Sequence, residues 1–285
     1  MLSRIVLLCV IAAVSLFVAG CGGNGASGAG ETVVAAFYPL AFAAQHVAGP
    51  GVDVVDLTRA GEEPHDIELS PRDVARILDA KLVIYAGHGF QPAVEDAARE
   101  RRGPTLDVLD HVRLRGTGDD VDPHVWLDPR RYAQVTRAIA SALGDEPRAE
   151  PFVRRLDELD RELAHGLRRC DRRTIVTSHA AFGYLAARYG LEQVALVGLA
   201  PEAEPSPATV ARLADTVRAT GATTVFTEPL VAPALADTVA REAGAVTATL
   251  DPLEALTPSE EDAGADYFRV MRENLAALRK ALGCH

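Results

Sequence analysis

Residues 147–169 carry one long amphipathic helix pattern, with Phe152, Val153, Leu156, Leu159, Leu163 and Leu167 at helical spacing and many charges between them. On both sides of it, short apolar strand runs alternate with helical stretches. Before it, strands are predicted at 32–37, 52–57 and 82–86, with helices at 40–48, 71–79, 92–102 and 130–143. After it, strands fall at 174–178, 193–197, 223–227 and 245–250, with helices at 181–189, 207–221, 233–243 and 266–282. Such alternation means an α/β lobe with a mostly parallel sheet. Two such stretches around one uninterrupted helix predict two lobes, residues 31–143 and 170–285, joined by a spine helix within 144–169. A chain of 285 residues is long enough for both. No strong sequence repeat relates the halves.

The amino terminus predicts export. Arg4 precedes an apolar run at 5–18 and then Ala19-Gly20-Cys21, too short a run for a comfortable membrane span and suited to a signal peptide over 1–20. Val18-Ala19-Gly20-Cys21 resembles a bacterial lipobox, which implies cleavage before Cys21 and a lipid on its sulfur. Residues 21–30, rich in Gly, Ala and Ser, then read as a flexible tether. The expected location is therefore outside the cytoplasm, anchored to the cell membrane. Cys9 leaves with the signal, so the mature fold keeps Cys170 and Cys284, an even pair in an oxidising compartment. They read as a disulfide, with two unpaired thiols as the alternative. Hydrophobic content of 48% argues against disorder, and a net charge of −11 leaves no footprint for nucleic acid while suiting a cationic ligand.

Asp122-Pro123-His124-Val125-Trp126-Leu127-Asp128-Pro129 presents its histidine behind one proline and ahead of an Asp-Pro helix start. In open parallel sheets, ligands bind beyond the carboxyl ends of strands, near where the strand order reverses. By that rule His179 and Asp251 each follow a strand immediately, and His65 sits in the loop after the second strand, again behind a proline. His65 and His124 come from the first lobe, His179 and Asp251 from the second. Three imidazoles and one carboxylate complete a tetrahedral Zn²⁺ site, with water in place of Asp251 as the alternative fourth ligand, whereas Mn²⁺, the alternative ion, favours more oxygen donors. Glu228, also after a strand, is a candidate to orient a ligand imidazole, or else pairs with an arginine. His88 is a candidate auxiliary ligand or a solvated loop residue. Trp126 and Tyr38 are candidate walls that keep water out, although core packing alone would explain them. His46, His111, His165 and His285 read as structural or solvated.

With those residues in view, the chain resembles the metal-specific solute-binding proteins of bacterial ATP-binding-cassette importers, the zinc and manganese class. The resemblance covers nearly all of the mature chain. It rests on Phe37-Tyr38-Pro39, Glu63-Pro64-His65-Asp66 with Ser70-Pro71, the segment from Asp122 to Pro129, Ser178-His179-Ala180-Ala181-Phe182-Gly183-Tyr184, and Glu228-Pro229 with Asp251-Pro252-Leu253. It implies two α/β lobes on a long helix, metal held between them, and delivery to a permease. The family's ligand positions fall on His65, His124, His179 and Asp251. Histidine at the third position, where manganese members carry Glu, implies zinc. One departure stands out: the long His-rich loop of many zinc members is replaced by a short segment with Gly116, Gly118, Asp119 and Asp120. A monomer is expected.

Three other functions fit the sequence less well. A secreted zinc hydrolase would need an open coordination position, and the chain has no His-Glu-x-x-His helix and no Gly-x-Ser-x-Gly elbow. A binder of a larger chelate would want aromatic walls, and only 5% of residues are aromatic. An adhesin is compatible with the anchor but needs no histidine cluster.

Overall fold

The computed structural model describes residues 31–200 and 206–285; the expected signal peptide, Cys21 and the tether lie outside them. In the first lobe β1 (Glu31–Ala35), α1 (Tyr38–Val47), β2 (Val52–Asp56), α2 (Pro71–Asp79), β3 (Leu82–Tyr85), α3 (Pro92–Glu100) and β4 (Thr105–Asp107) follow in order. Then come α4 (Pro129–Ala142) and the spine α5 (Ala149–Gly166). The second lobe contains β5 (Thr174–Thr177), α6 (Gly183–Tyr189), β6 (Glu192–Ala195), α7 (Pro207–Thr220), β7 (Thr224–Thr227), α8 (Ala234–Ala243), β8 (Val246–Thr249), α9 (Pro258–Asp262) and α10 (Tyr267–Leu282).

Each lobe is built on a four-stranded, wholly parallel sheet, with orders β2-β1-β3-β4 and β6-β5-β7-β8. The two orders are the same pattern. In both, the first strand lies between the second and third, so the chain reverses direction across the sheet beside β1 in one lobe and beside β5 in the other. Those switch points are where a parallel sheet opens a crevice for ligands. Val33 of β1 sits in register with Val54 of β2 and Leu82 of β3, and Val33, Val34 and Ala35 are fully buried. Helices covering both faces explain why these strands read as continuous apolar runs.

The helix starts follow from capping chemistry. Ser70 accepts from Asp73 N while the Asp73 carboxylate accepts from Ser70 N, a reciprocal box with Pro71 at the first helical position. Asp128 accepts from Arg130 N to start α4, so the segment holding His124 ends in a fixed helix. Two short elements escaped the sequence reading. β4 is only three residues long, and α9, capped by Thr257 and Glu260 in the same reciprocal way, is five.

The spine is shorter than its sequence pattern and begins after a single turn at Glu146–Arg148. Its apolar stripe belongs to one hydrophobic cluster that runs from β1 through α4 and α5 to α6 and α10. A smaller cluster, around Val176, Val217, Val225 and Val239, fills the outer part of the second lobe. The lobes therefore share a core. On the spine, Asp160 is 4% exposed and accepts from Arg130 of α4 (3.0 Å), from Arg188 of α6 (2.9 and 2.8 Å) and from Tyr189 (3.2 Å). Burial works against its charge, but the two guanidiniums outweigh it and hold the carboxyl below its usual range. One buried carboxylate thus ties an arginine from each side of the spine.

Cys170, just after the spine, is disulfide-bonded to Cys284, just after α10. The backbone reinforces the join, since Arg172 N donates to Leu282 O and His285 N to Arg169 O. The crosslink spans 114 residues, so most of its effect falls on the unfolded chain. Replacing both cysteines with serine is expected to lower stability by about 2–4 kcal/mol, measured by chemical denaturation, and to leave zinc affinity unchanged.

Candidate metal centre

Four side chains from separate parts of the chain converge between the lobes: His65, His124, His179 and Glu254, with one donor atom of each within 4.8 Å of the others. Glu254 Oε1 lies 3.0 Å from His124 Nε2, 3.3 Å from His179 Nε2 and 3.4 Å from His65 Nε2. The Nε2 atoms of His124 and His179 are 3.4 Å apart. A tetrahedron with bonds of roughly 2.0–2.1 Å has edges of about 3.3–3.4 Å, so these donors already stand near the spacing zinc requires.

Each imidazole is fixed from behind. His124 donates from its backbone N (3.0 Å) and from Nδ1 (2.9 Å) to Asp122 Oδ1, which turns Nε2 toward the crevice. His179 does the same with Glu228, through N to Oε1 (3.1 Å) and Nδ1 to Oε2 (2.6 Å). Glu228 follows β7 and His179 follows β5, so neighbouring strand ends deliver ligand and orienter together. Such carboxylate partners fix the tautomer and make the ligating nitrogen more basic. His65 is placed by the turn Pro64–Asp66, where its N donates to Glu63 Oε1 (3.3 Å), and its ring meets Phe90 edge-on at 4.5 Å. Gln91, fully buried, donates to Pro64 O (3.2 Å) and steadies that turn.

The segment holding His124 is fastened to both lobes. Trp126 is 1% exposed, its ring centroid 5.2 Å from that of His124, and its Nε1 donates to Pro252 O (2.7 Å). Tyr267 donates to Trp126 O (2.7 Å) and Tyr184 to Asp122 O (2.9 Å). Trp126 thus lies against the His124 ring and also carries a hydrogen bond across the lobes.

The fourth position corrects the sequence reading. Asp251 is not among the converging donors. Its Oδ1 accepts from Leu253 N (2.7 Å), and its backbone is tied to Asn274 of α10 by two hydrogen bonds, N to Oδ1 (2.8 Å) and Nδ2 to O (2.7 Å). That turn drives Leu253 to φ 58, the left-handed region, and sends the next residue, Glu254, into the crevice. Asp251 shapes the loop, and Glu254 is the carboxylate that joins the three imidazoles. The acid stands five residues beyond the strand end, but left-handed backbone at a leucine is not legible in sequence. Two further candidates lie elsewhere. Tyr38 stacks on Phe42 and lines a neighbouring inter-lobe cavity of about 390 Å³ with Asp56, Thr58 and Glu261. His88 is exposed, beside Asp107 and Asp110.

The cluster is closed to solvent, with His124 and His179 at 0% and Glu254 at 1% exposure. Burial opposes charge on every member, yet the members hold one another ionised. Burial raises the Glu254 carboxyl, but its bonds to His124, His179 and His65 outweigh that and hold it well below its usual range. Burial lowers His179, but Glu228 and Glu254 push it up to about 10, and Asp122 and Glu254 raise His124 in the same manner. His65, where burial prevails, is lowered. Glu63, raised by burial and then by Glu254, is pushed up to about 8. Among these groups a deficit of positive charge is met by protonated imidazole, the place a divalent cation would take.

Comparison with known proteins agrees with this geometry. Residues 33–281 match the family model described as zinc-uptake complex component A, periplasmic. The chain is 33% identical over 293 residues to the zinc-binding lipoprotein AdcA of Streptococcus pneumoniae, covering 93% of this chain and 58% of that one. It thus spans little more than half of the AdcA relatives. It is 32% identical over 309 residues to the high-affinity zinc uptake system protein ZnuA of Bacillus subtilis, covering 96% and 97%. Among solved structures, the Zn(II)-bound ZnuA-like domain of S. pneumoniae AdcA superposes with a TM-score of 0.75 at 35% identity, over 88% of this chain and 98% of that one. The laminin-binding protein Lmb of Streptococcus agalactiae, described as having adhesin and metal transporting activity, gives 0.80 at 31% identity, over 89% and 100%.

Glu254→Gln is expected to weaken zinc binding by more than the roughly 10–100-fold typical of outer partners, and Glu228→Gln by about that range. Asp251→Asn keeps an acceptor for Leu253 N and is expected to change affinity less than about tenfold. Competition titrations with a chromogenic chelator rank the three; a larger loss for Asp251→Asn than for Glu254→Gln would reverse the assignment.

Proposed function

The chain belongs to the zinc-uptake complex component A family, and from that membership and its four-donor crevice we propose that it is an extracytoplasmic receptor for Zn²⁺. It captures the ion between its lobes and hands it to the permease of an ATP-binding-cassette importer. The observation that carries this reading is the convergence of three imidazoles and one carboxylate, drawn from both lobes, at zinc-like spacing. A lipid on Cys21 holds the receptor at the membrane.

Zinc is favoured over manganese by the donor set, since imidazole suits zinc and manganese favours additional oxygen. The protein carries the ion and performs no chemistry on it. With four protein donors around the ion, no position is left for an activated water, the requirement for zinc hydrolysis.

Capture then proceeds by exchange of charge. In the metal-free state His179, with its pKa near 10, carries a proton, and Glu254 is ionised. Only neutral imidazole ligates, so zinc expels that proton as it binds. The remaining net charge is shared with Asp122 and Glu228, which stay hydrogen-bonded to the far side of their rings. Release at the permease reverses the exchange when the crevice opens and a proton returns.

The sign of the pH dependence follows. Protons compete with zinc below about pH 10, so affinity rises with pH through the neutral range and falls on acidification. Zinc binding at neutral pH is expected to release at least one proton per ion, read by calorimetry in buffers of different ionisation enthalpy. Buffer-independent heats with pH-independent affinity would refute the exchange.

A further inference from the structure

A second group of metal-binding side chains lies outside the crevice, where His88, Asp107 and Asp110 each bring one donor atom within 4.8 Å of the others. We propose that these three residues form an outer site for a divalent transition-metal cation of the zinc class, on the surface of the first lobe. Asp107 ends β4 and is half-buried; its Oδ1 accepts from Gly87 N (3.0 Å) and Leu109 N (3.0 Å), which fixes the carboxylate and leaves Oδ2 available. A Cβ at position 87 would fall on that carboxylate, so the glycine permits the close approach. His88 follows at φ 60, a left-handed conformation that a histidine adopts at some cost, and Gly89 N donates to Glu95 Oε1 (2.8 Å) to fix the other side of the loop.

The charge around the group favours a cation. Among the described residues no lysine or arginine pairs with Asp107 or Asp110, and the nearby Arg99 is taken up by Asp96. One imidazole and two carboxylates suit zinc, manganese and related ions with positions left for water. Zinc with bonds of roughly 2.0–2.2 Å needs the donors closer than they stand, and the exposed side chains of His88 and Asp110 are free to close in. An ion there would sit two residues from Phe90 and three from Gln91, the side chains that back His65 and Pro64 in the crevice.

The test is zinc stoichiometry by equilibrium dialysis on the full folded domain. Wild type is expected to take up two equivalents, the second more weakly, and His88→Gly only one. Glycine is chosen because it accepts the left-handed backbone and removes only the donor. Asp110→Asn is expected to weaken the second equivalent at least about tenfold. His179→Ala separates this site from the crevice, because it should lose the tight equivalent and keep the weak one. In the zinc-loaded protein, added Co²⁺ is expected to broaden and shift the His88 ring resonances in NMR spectra. A single equivalent in wild type at zinc saturation, or a second one that survives both His88→Gly and Asp110→Asn, would overturn the proposal.

Discussion

A carboxylate with 1% exposure cannot remain ionised without positive charge beside it; Glu254 has the imidazoles of His124 and His179 in that role, with His65 as a third hydrogen-bond partner. That interaction sets the terms for the rest of the molecule. Each histidine must reach one point from a different element, so the loops after β2 and β5 and the segment after Asp122 are all tightly specified. Asp122 and Glu228 then hold two of the rings by their outer nitrogens, and so make the inner nitrogens good ligands. Removing the central acid would leave three imidazoles facing one another with no reason to stay close.

Two sheets of identical strand order bring those loops face to face. In each lobe the crevice opens where the chain turns back across its sheet, and the spine holds the two openings opposite one another. The shared apolar cluster and the Asp160 junction make this a stiff arrangement, in contrast to two bodies on a flexible tether. His124 occupies the seam itself. Its segment starts on the first lobe, yet Tyr184, Tyr267 and Pro252 of the second lobe all grip it.

Much of this was legible in the amino-acid sequence because the physics is local. Val33, Val34, Val225 and their neighbours form apolar runs that only a covered parallel strand explains, and Ser70, Ser206 and Gly221 mark helix ends by their own chemistry. The proline before His65 and the Asp-Pro pairs around His124 likewise announce fixed backbone. What escaped was set by tertiary context. β4 is too short to show periodicity, and it forms because β3 offers it an edge. Asp251 and Glu254 are both acids within one turn of a strand end. Choosing between them requires knowing that Asn274, on a helix 23 residues later, holds the Asp251 backbone and leaves Glu254 to turn inward.

The hydrogen bonds across Trp126 govern how far the two halves of the crevice can separate. Because the His124 segment is held by Tyr184, Pro252 and Tyr267, the two halves cannot swing apart like a clamshell without breaking buried hydrogen bonds at the seam. Of the four converging side chains only His65 is not fully buried, so the turn that bears it is the edge of the crevice nearest solvent. A crevice built this way would open at one edge rather than along its whole length.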